Sequence, residues 1–187
     1  MLFTIDSWYI LLPAFVLFIL TLFLGTRKKT YRAAQYFLLI TFAIYLLAMI
    51  HLVFFPIEYW MGEKKMTQPL WLMILNEINF IPVLTIDIPT FVLNVIMLVP
   101  FGVYLPLLIS KVDSAKKAAK YGFFLSLSIE VIQLTIEITL GSGRIADIND
   151  IIANTIGAVV GFLIIKKLLK IKSFKFLLSK LSLAKSA

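Results

Sequence analysis

Carboxylate, amide and hydroxyl side chains recur at helical spacing inside an apolar stretch of the sequence, FFLSLSIEVIQLTIEITL. Ser126, Glu130, Gln133 and Glu137 are separated by four, three and four residues, so a helix places all four on one face. A carboxylate in the hydrocarbon of a bilayer is costly, so it normally faces protein, a ligand or water. The pattern marks Glu130 as a candidate functional residue, and a polar face that joins helices is the structural alternative.

A second polar face is predicted in the next apolar segment. Asp147, Asp150, Asn154, Gly157 and Gly161 are separated by three, four, three and four residues. Two acids at one end are followed by an amide and then by a GxxxG pattern, which permits close contact between membrane helices. We therefore expect this face to line a polar site at its acidic end and to pack against another span beyond it.

Arg144 and Asn94 complete the candidate set. Arg144 precedes the two aspartates and could offset their charge or bind a phosphate or carboxylate; alternatively, Asp147 is only a helix N-cap that pairs with this arginine. Asn94 lies at a similar depth, and a buried asparagine needs hydrogen-bonding partners. The predicted ligand-binding residues are Asn94, Glu130, Gln133, Arg144, Asp147, Asp150 and Asn154, and the catalytic candidates, should the protein be an enzyme, are Glu130, Asp147 and Asp150.

The composition is that of an integral membrane protein. Apolar residues make up 61% of the 187 residues, against about 45–50% in a soluble domain. The chain has no cysteine and a single histidine, His51, which excludes disulfides, cysteine nucleophiles and thiolate or histidine-rich metal sites. The net charge of +8 favours anionic lipid over nucleic acid as a partner, because the basic residues flank membrane segments.

Five segments approach the roughly 20 apolar residues that a membrane span requires. They cover about residues 8–25, 33–55, 90–110, 120–140 and 148–166. Of the 18 basic residues, four lie within 26–32, four within 111–120 and seven within 166–187. The positive-inside rule makes these connections cytoplasmic and residues 56–89 extracytoplasmic. The sequence thus predicts an all-α integral membrane protein, a single domain over residues 1–187, with its N-terminus outside and its C-terminus inside.

The two remaining segments are predicted to lie at the membrane surfaces. Residues 56–89 contain PLWLMILNEINFIPVLTI, which is too short and too rich in proline to span. It predicts an interfacial helix followed by a partly re-entrant loop, or else an amphipathic surface loop. Residues 167–187 alternate lysine with apolar residues and predict a basic amphipathic cytoplasmic tail that binds anionic lipid.

Three stretches, NVIMLVPFGVYLPLL, IEVIQ and GRIADINDIIANTIGAVVG, together resemble the VanZ-like family. The matching positions are Asn94 with Pro100-Phe101-Gly102, Glu130 with Gln133, Arg144 with Asp147 and Asp150, and Asn154 with Gly157. Asn79-Phe80-Ile81-Pro82 resembles the family's Asn-x-x-Pro-Phe, although Val83 stands where phenylalanine is expected. The resemblance covers about residues 35–165. It implies a small bacterial membrane protein, and the family's named member is an accessory protein associated with reduced susceptibility to teicoplanin.

Two functions follow from these observations. The favoured one is an outward-facing polar site that binds an amphipathic or lipid-linked cell-envelope molecule at the outer leaflet, lowers susceptibility to lipoglycopeptide antibiotics such as teicoplanin, and needs no cofactor. The alternative is an intramembrane transferase or hydrolase acting on polyprenyl-phosphate or lipid-linked cell-wall intermediates. Glu130 would then be a general acid or base, and Asp147, Asp150 and Asn154 could hold Mg²⁺. Oligomeric state is left open.

Overall fold

Helices make up most of the chain in the computed structural model, which describes residues 2–25, 31–60, 69–143 and 145–183. The helices are α1 (Trp8–Gly25), α2 (Ala33–Phe54), α3 (Leu70–Asn76), α4 (Ile88–Leu108), α5 (Ala115–Leu140), α6 (Ile148–Leu168) and α7 (Lys172–Leu181). Four short strands accompany them, β1 (Leu2–Ile5), β2 (Ile57–Trp60), β3 (Ile78–Asn79) and β4 (Ala146–Asp147). The helical class predicted from the sequence is confirmed, since 75% of the structure is helix.

Four helices, α2, α4, α5 and α6, are long and apolar enough to cross a membrane. Their bounds lie close to four of the predicted spans, with the largest difference at α5, which begins at Ala115 rather than near residue 120. The sequence AKKAAK explains the longer helix, because alanine and lysine have high helix propensity. Helix α1 coincides with the predicted span over residues 8–25, but its apolar stretch among the fully described residues is limited to Trp8–Thr21, so this first span stays a prediction.

Small residues bring α4 and α6 into the most extensive helix contact of the described structure. A Cβ atom added to Gly161 would lie 1.9 Å from the Val99 carbonyl oxygen, and one added to Gly157 would lie 2.2 Å from that of Val95. Gly102 approaches the Ala158 carbonyl equally closely from the α4 side. Such backbone contact is what the GxxxG pattern permits. The prediction that this face packs against another span is therefore confirmed, and the partner is α4.

Helices α5 and α2 complete the core on either side of this pair. Gly122 of α5 lies against Ala158 of α6, where an added Cβ would approach the alanine methyl to 2.5 Å. One apolar cluster then joins the helices, with Met49 and Val53 from α2, Leu98 from α4 and Ile129 from α5. A hydroxyl-to-carbonyl hydrogen bond of 3.0 Å from Tyr45 to Met97 also links α2 to α4.

Two short strand pairs, which the sequence pattern does not predict, order the connections. Strands β1 and β2 pair in antiparallel orientation and tie the start of the chain to the segment after α2. Strands β3 and β4 pair in parallel, with Ile78 opposite Ala146 and Asn79 opposite Asp147. The second pair holds the connection between α3 and α4 against the start of α6. The helix predicted in this connection is α3, and its interfacial position and the re-entrant loop after it stay predictions.

The C-terminal segment packs on the protein at the ends of α2 and α4. Leu178 and Leu183 join an apolar cluster with Leu38, Leu107 and Ile165. The Leu183 N–H donates to the Leu107 carbonyl at 2.9 Å, which satisfies a carbonyl group at the end of α4. Helix α7 thus contacts the bundle through Leu178, while Phe174, Phe176 and Leu177 are exposed, and the role of its lysines in lipid binding stays a prediction.

Candidate functional site

A cavity of about 410 Å³ lies between α2, α4, α5 and α6 and is lined by polar and apolar side chains. Its polar lining comes from three helices, with Thr90 and Asn94 from α4, Glu130 and Gln133 from α5, and Asp150 and Asn154 from α6. The apolar lining includes Leu52 and Val53 of α2 and Ile129 of α5. Five of the seven predicted ligand-binding residues therefore meet around one space: Asn94, Glu130, Gln133, Asp150 and Asn154.

Helical spacing accounts for this convergence. Residues Glu130 and Gln133 lie on one face of α5, and Asp150 and Asn154 lie on one face of α6. Close packing of α4 against α6 turns Asn94 toward the same space. Glu130 is buried, with 5% of its side chain exposed, so it does not face lipid.

The start of α6 holds the Glu130 carboxylate in place. The Asp147 backbone N–H donates a hydrogen bond of 3.0 Å to Glu130 Oε2. The N-terminus of a helix carries partial positive charge, which favours a carboxylate at this position. The carboxylates of Asp150 and Asp147 are near enough to repel that of Glu130. The site consequently brings three carboxyl groups close together around Glu130.

Two polar atoms at the cavity are buried without a hydrogen-bonding partner among the described residues, Asn94 Nδ2 and Asn154 Oδ1. Asn154 uses its Nδ2 to donate to Ser126 Oγ at 2.8 Å, which leaves its oxygen as an open acceptor. The Asn94 amide is a neighbour of the Asp150 carboxylate, yet its Nδ2 makes no hydrogen bond of acceptable geometry. Buried polar groups are normally satisfied, so the pair presents one donor and one acceptor to a polar guest.

Asp147, in contrast, directs its side chain away from the cavity. Its Oδ1 accepts hydrogen bonds from the Asn149 backbone N–H at 2.8 Å and from Asn149 Nδ2 at 2.9 Å, so it caps α6. Its Oδ2 accepts from Asn79 Nδ2 at 3.0 Å. Only the backbone of Asp147 reaches the site, through Glu130. The capping part of the alternative is therefore confirmed for this residue, and its predicted pairing with Arg144 involves a residue outside the described ones.

Asn149 is an organising residue that the sequence analysis missed. It is buried, with 3% exposed, and its Oδ1 accepts from the Val83 backbone N–H at 2.8 Å. Its Nδ2 also donates to Thr85 Oγ1 at 3.2 Å. These bonds hold the loop before α4 against α6. Asn149 does not lie on the helical face that carries Asp147, Asp150 and Asn154, so a search along that face misses it. The available signal was a polar residue two positions after the capping residue Asp147.

The remaining predicted polar residues have structural partners or lie outside the described residues. Gln133 lines the cavity and also donates from Nε2 to the Val53 carbonyl at 3.1 Å, which ties α5 to the end of α2. Glu137 accepts from Ser142 Oγ and from the Gly143 N–H, so it caps the turn after α5. Arg144 lies outside the described residues.

The geometry of the described aspartate and glutamate side chains does not support metal binding. In the part of the chain that the structure describes, no group of three histidine, aspartate or glutamate side chains is placed to hold a metal ion. Asp147 is occupied by Asn79 and Asn149, so two carboxylates, of Glu130 and Asp150, face the cavity.

A smaller cavity of about 200 Å³ adjoins the site on the other side of Glu130. Apart from Glu130 and Asp147, its lining is apolar and includes Phe80, Leu127 and Ile151. Glu130 borders both spaces, so a cavity with a mixed polar and apolar lining and a mainly apolar cavity share one buried carboxylate.

Comparison with known proteins gives one match. A family model described as VanZ/LLP1 matches residues 42–171, which include every residue that lines the two cavities. Neither a search of curated proteins nor a search of solved structures found a match.

Proposed function

The chain belongs to the VanZ/LLP1 family, and we propose that its α4–α5–α6 cavity binds the polar head of an amphipathic cell-envelope molecule. The observation that carries this proposal is the pair of buried atoms, Asn94 Nδ2 and Asn154 Oδ1, left without partners beside Glu130 and Asp150. A polar head group with hydroxyl or amine donors and a carbonyl acceptor would satisfy them. Leaving them unsatisfied costs about 1–3 kcal/mol for each group.

The two cavities support an amphipathic ligand rather than a wholly polar one. The larger space carries the amides and carboxylates, and the smaller one is mainly apolar. The head group of the ligand would occupy the larger cavity and the start of its lipid chain the smaller one, with Glu130 lining both. The exposed apolar side chains Leu127 and Val131 continue the apolar surface along α5.

The function requires a site that opens outward, and the charge distribution supports that orientation. Lysines 116, 117 and 120 lie at one end of α5, whereas Glu130 and the aspartates at the start of α6 lie toward the other. With the positive end in the cytoplasm, the protein crosses the bacterial cell membrane five times, α1 included, and starts outside. The cavity then opens in the outer half of the membrane, and the lysines of the tail meet anionic lipid inside.

The biological consequence is reduced susceptibility to lipoglycopeptide antibiotics such as teicoplanin. The protein would bind either the antibiotic or the lipid-linked wall precursor that the antibiotic recognises, since both join a polar head to a lipid chain. Protection by binding is stoichiometric, so it increases with the amount of protein in the membrane.

Expression in a susceptible bacterium tests this function directly. The minimal inhibitory concentration of teicoplanin should rise with expression level, and that of a glycopeptide without a lipid chain should change much less. The variant Asn94→Leu with Asn154→Leu removes the open donor and acceptor and should abolish protection. The matched control Ser128→Ala, on the exposed side of α5, should retain it. Equal protection by the double variant at equal protein level would refute the binding site.

An intramembrane enzyme is the second candidate, because Glu130 and Asp150 present two carboxylates to one cavity. Glu130 would act as general acid or base on a polyprenyl-phosphate or lipid-linked cell-wall intermediate. If Mg²⁺ takes part, its ligands would be these two carboxylates, the Asn154 oxygen and the substrate phosphate. Release of product from a radiolabelled lipid-linked substrate by purified protein would favour this function, and stoichiometric retention of unchanged substrate would favour binding.

A further inference from the structure

A third cavity, of about 550 Å³, lies at the far end of α5 from the polar site. Its lining comes from the α4–α5 connection and the first turns of α5, and consists of Lys111, Asp113, Lys117, Lys120, Tyr121 and Phe124. Neither the proposed ligand site nor the predicted lipid contact of the C-terminal tail uses these residues. We call this space the basic cavity.

The basic cavity carries an excess of positive charge that the protein does not neutralise. Lys117 Nζ lies 2.6 Å from Asp113 Oδ2, and this hydrogen bond lowers the pKa of Asp113, so the aspartate stays charged and offsets one lysine. Lys111 and Lys120 form no salt bridge with any described residue. The ammonium groups of Lys111 and Lys120, which both line this cavity, therefore remain for an anion.

Aromatic side chains follow the lysines along α5. Tyr121 and Phe124 line the cavity and are 41% and 53% exposed. Phe124 follows Lys120 by four residues, which places it about 6 Å further along the helix at 1.5 Å per residue. Phe123, in edge contact with Phe124, extends this exposed apolar surface. A charged group at the lysines would thus continue into hydrocarbon along α5, and tyrosine prefers that interfacial depth.

We propose that the basic cavity binds the phosphate of an anionic phospholipid between Lys111 and Lys120, with the lipid chains against Tyr121 and Phe124. A free phosphate would engage the same two lysines, but it would leave the aromatic part of the lining unused. The orientation proposed above assigns this lipid to the cytoplasmic leaflet, whose anionic lipids attract each nearby lysine by about 1 kcal/mol. The inference does not depend on what the outer cavity binds.

Lipid titration of the purified full-length protein tests the site. Native mass spectrometry in detergent would measure binding of the first molecule of phosphatidylglycerol, with phosphatidylcholine as the neutral comparison. The test variant is Lys120→Gln, and the control is Lys116→Gln, which removes the same charge from an exposed lysine of the same helix that does not line the cavity. Thermal unfolding without added lipid should be alike for both variants, because both lysines are exposed.

We expect the wild-type protein to bind phosphatidylglycerol more tightly than phosphatidylcholine. The test variant should lose at least about five-fold in apparent affinity, and the control variant should lose much less. Equal losses in both variants would mean diffuse charge attraction and would overturn the proposal. Displacement of the lipid by millimolar inorganic phosphate would also overturn it, because the site would then recognise phosphate without its lipid.

Discussion

The backbone N–H of Asp147 donates to Glu130 Oε2 at 3.0 Å, and this bond joins α5 to the residue that caps α6. It fixes a buried carboxylate that lines both the cavity with the amides and carboxylates and the smaller, mainly apolar cavity. The geometry separates two roles that look equivalent in sequence: Glu130 presents its side chain to the cavity, while Asp147 contributes its backbone and uses its side chain for capping.

This relationship makes Glu130→Gln the sharpest substitution at the site. Glutamine keeps an oxygen that can accept the Asp147 N–H, so we expect the protein to fold and accumulate normally. It removes the charge, and a hydrogen bond to a charged group contributes about 1.5–3 kcal/mol. Ligand affinity, measured by titration of purified protein, should fall by about ten-fold or more.

Thr135→Val is the matched control, because Thr135 is exposed on the same helix and its hydroxyl donates to the Val131 carbonyl of that helix, away from the site. Its affinity should match the wild type. Wild-type affinity in Glu130→Gln would show instead that the head group is recognised by neutral groups such as Asn94 and Asn154.

The packing of α6 on α4 gives a prediction about stability. Gly161→Leu would place side-chain atoms where the Val99 carbonyl lies, 1.9 Å from an ideal Cβ. The helices must separate, and overpacking of this kind costs about 1–3 kcal/mol or more. We expect a lower yield of folded protein and a lower melting temperature in detergent.

Val160→Leu, a neighbouring enlargement on an exposed position of α6, should leave melting unchanged. A Gly161→Leu protein as stable as the wild type would contradict the tight α4–α6 contact and would place this face against lipid.

Membrane orientation can be measured because the chain has no cysteine of its own. Single cysteines at Glu58 and at Lys116, both exposed, should react differently with an impermeant thiol reagent added to intact cells. Labelling is expected at residue 58, since 56–89 is assigned outside, and labelling at residue 116 only after the cells are permeabilised. The opposite pattern would invert the topology and move the polar site to the cytoplasmic half.

Residue periodicity predicts the helices and much of the site, because both depend on spacing along one helix. Glu130, Gln133, Asp150 and Asn154 share a cavity because i, i+3 and i, i+4 neighbours share a face. The spacing could not separate Asp147 from Asp150. Capping depends on backbone geometry at the first turn, which periodicity does not encode.

The connections were less predictable, for a different reason. Strands β3 and β4 are two residues each, and they pair residues that are far apart in the sequence, Ile78 with Ala146. A strand of two residues is too short to show the alternation of apolar and polar residues that predicts a strand. The role of Asn149 was not predictable from periodicity either, because its partners Val83 and Thr85 belong to a loop that is distant in the sequence.

Asn149 supplies the final prediction, which concerns the loop before α4, whose residues Ile78 and Phe80 line the smaller cavity. Val83 has a φ of 69°, a conformation that a β-branched residue adopts only under strain. Its backbone N–H is held by Asn149 Oδ1 at 2.8 Å, so we infer that this bond stabilises the strained loop. Asn149→Ala removes that acceptor and also the Nδ2 donor to Asp147.

The loss of these buried hydrogen bonds should cost about 1–3 kcal/mol and release residues 78–87 locally. Hydrogen–deuterium exchange should therefore accelerate in that segment and stay unchanged in the buried part of α4. Adding Val83→Gly to Asn149→Ala should restore part of the protection, because glycine adopts a positive φ without steric cost. Unchanged exchange in Asn149→Ala would show that the strand pair β3–β4 alone holds the loop. Faster exchange that Val83→Gly fails to reduce would show that Asn149 acts on the Asp147 cap, and hence on Glu130, rather than on the loop.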